Sequence, residues 1–408
     1  MSDESCAVAV VGGGTAGLSL ARELMRREVG PVVVLEREAE AGGIPRHCGH
    51  YPFGLREYNR LLKGPDYARR NRDAAARAGA EIRTSTTVTG LLPGGRLEVS
   101  GPSGPAVLAA KRVVLCTGVR ESTRAQRLIG GDRPLGVVST GALQGAVYLK
   151  GIRPFHRPVI FGSELVSFSA LQTCAHLGIT PLAMVEEEPR IFARRLFQPY
   201  LWLKRLPLYT GISQPRIKGA GRVEVLNFID RHGANRTIET DGIIISGRFR
   251  PEAALLHRSH IEVDPGTGGP VVDQFGRCSD PAYFSAGNLV RPAETSGWCW
   301  FEGVAVAEHV AEDLAAAGKA RTVPLFTREP RIRFIAPQRL RLVHADSSDS
   351  VIYIGLETSI DATLSARCAD RVLWSAPLRG RPRRRLTVPL EPILKAAPDG
   401  PVELTLQD

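Results

Sequence analysis

The stretch Ala7–Gly17, AVAVVGGGTAG, decides the reading of this chain. Its first five residues are an apolar run that predicts a buried strand. Gly12, Gly14 and Gly17 follow in the spacing GxGxxG. A helical pattern occupies 18–27, a second apolar strand 32–35, and Glu36 closes that strand. Strand, turn, helix, strand and acid in this order predict a dinucleotide-binding unit. Gly12 permits the tight turn, Gly14 lets backbone approach a pyrophosphate, and Gly17 lets helix and strand pack closely. The helix N-terminus offers N–H groups to the phosphates. Glu36 is placed to accept hydrogen bonds from an adenosine ribose. An ordinary glycine-rich turn would share the glycines but not the complete order.

Composition sets the outer bounds. The 408 residues suit two or three domains, and 43% hydrophobic residues supply ample core. The formal charge of +11 comes mostly from arginine and permits an acidic partner or substrate. No nucleic-acid module is recognisable, so nucleic-acid binding is not predicted. The seven cysteines, Cys6, Cys48, Cys116, Cys174, Cys278, Cys299 and Cys368, form neither a CxxC nor a CxxxxC pair. Iron–sulfur spacing is absent as well. Such a scattered, odd set predicts a reducing, cytoplasmic setting. No signal peptide and no integral membrane segment are predicted.

Taken in order, residues 1–150 read as the first part of an FAD-binding domain and 151–250 as an inserted domain like those that bind NAD. Residues 251–320 return to the first domain, and 321–408 form a small β-rich tail. The fold class is therefore α/β, with two Rossmann-like dinucleotide-binding domains, the second inserted in the first, plus a small C-terminal all-β domain. A helix is expected over about 302–317 with Gly318 as its C-cap, and tail strands over 340–343, 351–356, 372–378, 385–390 and 402–406. The basic, aromatic segment 186–209 and the run Arg381, Arg383, Arg384 and Arg385 read as docking surfaces or as ordinary packed and solvated elements.

Three further features favour FAD: Gly42-Gly43 just past Glu36, Thr117-Gly118 at a strand end, and Gly287-Asn288 before a helix. Here residues 1–320 resemble the two-dinucleotide-domain flavoproteins, the pyridine-nucleotide–disulfide oxidoreductase superfamily. The resemblance implies that Thr117 and Gly118 lie beside the cofactor and that Gly287 and Asn288 hold its ribityl chain and pyrophosphate. Asn288 replaces the usual aspartate, and its amide oxygen can still accept a hydroxyl. In the second glycine motif, FGSELVSF, Gly162 is kept, but Glu164 and Ser167 take the next two glycine positions. A nicotinamide role for that domain is thereby weakened.

The segments IPRHCGHYPFG (44–54) and GNLVRPAETSGWCWFEG (287–303) resemble the FAD subunits of opine, hydroxyproline and proline dehydrogenases and of hydrogen cyanide synthases. That resemblance implies a multi-subunit FAD-dependent dehydrogenase acting on an amine, imino acid or opine. It would pass electrons to a second flavoprotein subunit or a small two-iron two-sulfur protein. Arg46, His47, Cys48 and His50 are expected around the flavin, with His47 or His50 accepting a proton. Arg46 or Arg291 would bind a carboxylate, and Glu294 an amine or a proton. Thr295 and Ser296 would meet the ring edge, and Trp298, Trp300 and Phe301 would form an apolar lid or pack in the core. No metal site is predicted from His47, Cys48 and His50. The competing readings are an NAD(P)H-dependent flavoprotein reductase feeding a partner, and a flavin-containing electron-transfer or scaffold subunit.

Overall fold

A computed structural model describes residues 4–193, 197–316, 320–342, 350–382 and 384–408. The glycine-rich opening builds its parallel sheet as the sequence pattern requires. Strand β1 (Glu4–Val11) pairs in parallel with β2 (Val32–Leu35) on one side and with β3 (Gly104–Leu115) on the other. These strands are apolar on both faces because both faces are covered. Val8, Val10, Val32, Val34 and Val114 pack toward helices α1 (Thr15–Arg26) and α2 (Ser296–Ala315). Ala9, Val11, Val33, Leu35, Val113 and Leu115 face a second core completed by Ile261, Tyr283 and Leu289.

Strand β3 changes partner along its length. Its first part pairs antiparallel with Arg96–Gly101, while its last three residues run parallel to β4 (Tyr283–Ser285). This pairing returns the chain to the first sheet after the long insertion. The two helices covering that sheet approach closely because Gly303 carries no side chain. A Cβ there would lie 2.3 Å from both the Ala16 carbonyl oxygen and Ser19 Oγ. Ser19 Oγ also donates to the Trp300 carbonyl at 2.9 Å. Helix α2 starts at Ser296, earlier than the expected 302, and the proposed Gly318 cap lies outside the described residues.

The chain forms two units, one of 1–43, 68–119 and 251–408, the other of 44–67 and 120–250. The second unit has a parallel five-stranded sheet in the order Leu208–Thr210, Ala183–Glu186, Pro158–Phe161, Gly242–Ile245, Val137–Ser139. Helix Leu165–His176 packs on it, with Phe168, Leu171 and Cys174 in the core. An antiparallel sheet built on Ser213–Lys218, Val225–Ile229 and Asn235–Glu239 completes the unit. The boundary drawn at 150 is therefore too late. Val137–Ser139 is hydrogen-bonded to Gly242–Ile245 and belongs to the second sheet. The segment 186–209 contributes a short helix, Gln198–Leu203, that buries Leu201 and exposes Trp202 and Leu203; residues 194–196 lie outside the described residues.

The tail belongs to the first unit. Among the described residues it has a five-stranded and a three-stranded sheet, with one short helix, Glu391–Lys395. Leu325, Leu340, Ile352, Leu364, Val402 and Leu404 fill the core between them. Strands Arg321–Thr327, Ile332–Ala336 and Ile360–Cys368 were not expected from the sequence. The expected strand at 385–390 shrinks to Thr387–Pro389, which leaves Arg385 outside the ladder. Val343 and Arg383 lie outside the described residues.

The helix contact yields a stability prediction. Gly303→Val should destabilise the folded protein by about 1–3 kcal/mol through overpacking against α1. Urea unfolding of the two proteins measures this; an unchanged midpoint would show that the helices part freely.

Candidate functional site

In the first unit, the glycines make a cradle out of backbone. Gly12 has φ +107°, and a Cβ on it would lie 2.5 Å from the Cys116 carbonyl oxygen. A Cβ on Gly17 would lie 2.1 Å from the Gly12 carbonyl oxygen. Gly43, at φ +62°, faces Gly14 so closely that its Cβ would come within 2.8 Å of the Gly14 Cα. Gly14 is the N-cap of α1 and gives the helix no side-chain cap. The first N–H groups of α1 therefore retain their capacity for an anion, beside the space that Gly14 leaves open. This arrangement fits a dinucleotide pyrophosphate.

Glu36 lies at the end of β2 and is 7% exposed. Its Oε2 accepts the Gly13 N–H at 3.0 Å and its Oε1 the Glu38 N–H at 2.9 Å. These bonds orient the carboxylate and leave lone pairs for a ribose diol. Thr117 follows β3 and donates its hydroxyl to the Glu252 carbonyl at 2.9 Å. Gly118 has φ +74° with open space where a Cβ would stand.

The 287–302 segment belongs to the same unit. Gly287 has φ +75°, and its Cβ would meet Ala16 Cβ at 2.9 Å, which brings this backbone against the start of α1. The Asn288 carboxamide forms a two-way pair with the backbone of Glu294. Its Oδ1 accepts the Glu294 N–H at 2.6 Å, and its Nδ2 donates to the Glu294 carbonyl at 3.1 Å. An ionised aspartate could make only the first bond, which gives the departure from aspartate a physical reason. Thr295 is exposed at the N-cap of α2. Trp300 instead faces the helix packing: Arg22 lies 5.8 Å from its ring centroid and Phe301 packs edge-on at 5.1 Å.

The expected carboxylate-binding role of Arg291 fails on geometry. Arg291 is 4% exposed and donates Nη1 and Nη2 to the two Glu302 oxygens at 2.8 and 3.1 Å. Burial opposes its charge, but the Glu302 carboxylate prevails and holds the guanidinium above its ordinary pKa. Its planar face lies 3.5 Å from the Tyr353 ring centroid. Glu294 is held between cations, with Oε1 3.7 Å from Arg385 Nε and 3.9 Å from Arg291 Nε. Neither Arg385 nor Tyr353 was anticipated, because both come from the tail.

The 44–50 loop belongs to the second unit and has its own network. Ile44–His47 is one turn of 3-10 helix, and Gly49 lies flat on Tyr148, whose ring a Cβ would meet at 2.1 Å. Arg46 and His47 are half-buried. Cys48 Sγ donates to Gln144 Oε1 at 3.4 Å, and Gln144 Nε2 donates to Ser169 Oγ at 2.7 Å. Ser169 Oγ stands 2.5 Å from His50 Nε2, and His50 Nδ1 lies 3.0 Å from the Tyr51 carbonyl. The His50 imidazole thus bridges the Ser169 hydroxyl and the Tyr51 carbonyl, one ring nitrogen to each. Burial, reinforced by Glu121, pushes the Cys48 thiol up to about 12, so it is no ready nucleophile. All seven cysteines are buried and unbonded to one another. Among the described residues, no group of three or more His, Cys, Asp or Glu is placed to hold a metal. No described helix is long and apolar enough to cross a membrane.

The sequence profile of the pyridine nucleotide-disulphide oxidoreductases matches residues 6–309. The chain belongs to this family. It is an FAD-dependent oxidoreductase, and the first unit holds the residues that fit the cofactor. Thioredoxin reductase from T. acidophilum is similar in fold, with 22% identity over 77% of this chain and 100% of that one, and TM-score 0.64. L-proline dehydrogenase from P. horikoshii is 19% identical over 78% of this chain and 58% of that one, with TM-score 0.60. A NAD-dependent persulfide reductase from A. fulgidus is 15% identical over 91% of this chain and 70% of that one, with TM-score 0.57. No curated protein sequence matches the chain significantly. The structural likenesses show the fold of this pyridine nucleotide-disulphide oxidoreductase and not its substrate.

Two outcomes check the site. Gly14→Val should keep the fold by circular dichroism but weaken FAD binding by more than about tenfold, ~1.4 kcal/mol, read from retained flavin absorbance. Cys48 with a pKa near 12 is about one part in 10⁴ thiolate at pH 8. Its labelling by iodoacetamide in the native protein should be slow at pH 8 and rise with pH; fast labelling followed by peptide mass spectrometry would contradict the buried neutral thiol.

Proposed function

We propose that this FAD-dependent oxidoreductase is a reductase that takes electrons from NADH and passes them to a separate protein. The observation that carries the reading is a repeat of the Glu36 arrangement in the second unit. Glu186 ends its strand, is 1% exposed, and accepts the Ser163 hydroxyl at 2.6 Å and the Glu188 N–H at 3.1 Å. Ser163 and Glu188 stand relative to Glu186 as Gly13 and Glu38 stand relative to Glu36. Gly162 likewise repeats Gly12, with φ +123° and a Cβ position 2.4 Å from the Ser246 carbonyl oxygen. A buried acid at this point suits the free ribose hydroxyls of NADH and repels the 2′-phosphate of NADPH. When bound, FAD supplies hydride acceptance and onward electron release. The protein's own part is to seat the cofactor and exclude an internal thiol relay. Its cysteines are unpaired and buried, so an outside acceptor receives the electrons. A second flavoprotein or a two-iron two-sulfur protein fits that need.

A second reading rests on Glu164. It occupies the position that is a bare glycine, Gly14, in the first unit. Its Oε1 accepts the Arg248 N–H at 2.9 Å, and its carboxylate lies against Gly247. A negative charge there opposes a pyrophosphate. On this reading the donor is an amine, imino acid or opine, with His47 or His50 as the proton acceptor and Arg46 as the carboxylate anchor. Anaerobic mixing separates the two. NADH should bleach the flavin at 450 nm faster than NADPH, and Glu164→Gly should speed that reduction about tenfold by removing ~1.4 kcal/mol of repulsion. A flavin that ignores NADH in both proteins but bleaches with proline or an opine establishes the second reading instead.

A further inference from the structure

The tail domain holds the flavin-side loop. Arg385 lies outside its strand and lays its guanidinium over Trp298, 3.6 Å from the ring centroid. The same guanidinium is 5.3 Å from the Tyr353 centroid, and its Nη2 donates to the Tyr353 hydroxyl at 3.2 Å. Tyr353 in turn carries Arg291 on its ring face. Two tail residues, Arg385 and Tyr353, thus engage Trp298, Glu294 and Arg291.

Leu289, Val290, Arg291 and Cys299 of the segment they engage are buried. Ala293 and Thr295 are exposed, and Trp298 is half-buried. Its internal ties include the Asn288–Glu294 amide pair and the Arg291–Glu302 ion pair. The Arg291–Glu302 pair spans the turn into α2, and Arg385 adds a contact from the tail at Trp298. A planar guanidinium stacks on an indole while directing N–H groups at a carboxylate; an ammonium cannot do both. Arg385 stacks on Trp298, and its Nε stands 3.7 Å from Glu294 Oε1 as an ion pair.

We propose that Arg385 is a positioning residue for the flavin. Through Trp298 and Glu294 it sets the 288–298 segment, and with it Asn288, Thr295 and the N-terminus of α2. The C-terminal domain is in this way a component of the cofactor site, whatever donor the enzyme uses. The proposal requires FAD in the first unit and does not require NADH.

The test uses the full chain loaded with FAD. Arg385→Ala should weaken FAD binding about tenfold and alter the visible circular dichroism of the bound flavin, with far-ultraviolet dichroism unchanged. Arg385→Lys keeps the charge without the plane and should restore less than half of the lost affinity. Trp298→Ala should match Arg385→Ala, and the double variant should be no worse than either single one, because both remove one contact. Arg379→Ala, an exposed pair with Asp361 on the same domain, should leave FAD binding unchanged. If Arg385→Ala does not fold, Arg385→Lys and Tyr353→Phe carry the same readouts. FAD affinity within twofold of the parent and an unaltered flavin spectrum in the folded variants would overturn the proposal, even with a lowered melting temperature. Loss of NADH reduction with these readouts intact would count against the electron donor alone.

Discussion

The cofactor region depends on backbone meeting backbone with no side chain between. Gly12 meets the Cys116 carbonyl, Gly17 the Gly12 carbonyl, Gly43 the Gly14 Cα, and Gly303 the Ala16 carbonyl. In each case a single Cβ would come within 2.8 Å of a backbone atom, well inside van der Waals contact. These approaches place the start of α1 over the carboxyl ends of β1 and β3, where ligands sit in open α/β sheets. The surrounding valines supply stability, but their volumes tolerate exchange far better than these gaps do.

The two α/β units repeat one design and then diverge within the glycine motif. Both keep the first glycine at positive φ and the buried acid at the end of the second strand. At the second glycine, the first unit has Gly14 and the second has Glu164. The fold accommodates the change because the side chain turns aside to the Arg248 N–H instead of lying over its helix. Structure and ligand preference therefore separate here: the strand–helix geometry survives a substitution that changes the charge presented to a phosphate.

How much of this was legible in the sequence follows from the range of the interactions. The opening βαβ unit was legible because its signals are local: an apolar run, glycine spacing and an acid at a strand end. Glu186 carries the same local signal, an acid closing a second strand, but its bond to the Ser163 hydroxyl exists only once the fold brings residues 23 positions apart together. The 44–50 network was not legible, since Cys48 and Gln144 are 96 residues apart. Arg385 was read as part of a charged run, because nothing in RPRRRL marks one arginine for an indole almost ninety positions away. The bidentate Arg291–Glu302 pair lies within one segment, yet only the bend before α2 brings its ends together. The long tail strands were obscured where charged and apolar residues alternate unevenly, as in Ile360–Cys368.

The ordered series Cys48, Gln144, Ser169, His50 and the Tyr51 carbonyl has a directional consequence. The donors point one way as far as the Ser169 hydroxyl, from sulfur through the carboxamide. A carboxamide can orient its neighbours but does not readily hand a proton from nitrogen to oxygen. Gln144 therefore acts as an insulator in the row, between the buried thiol and the imidazole.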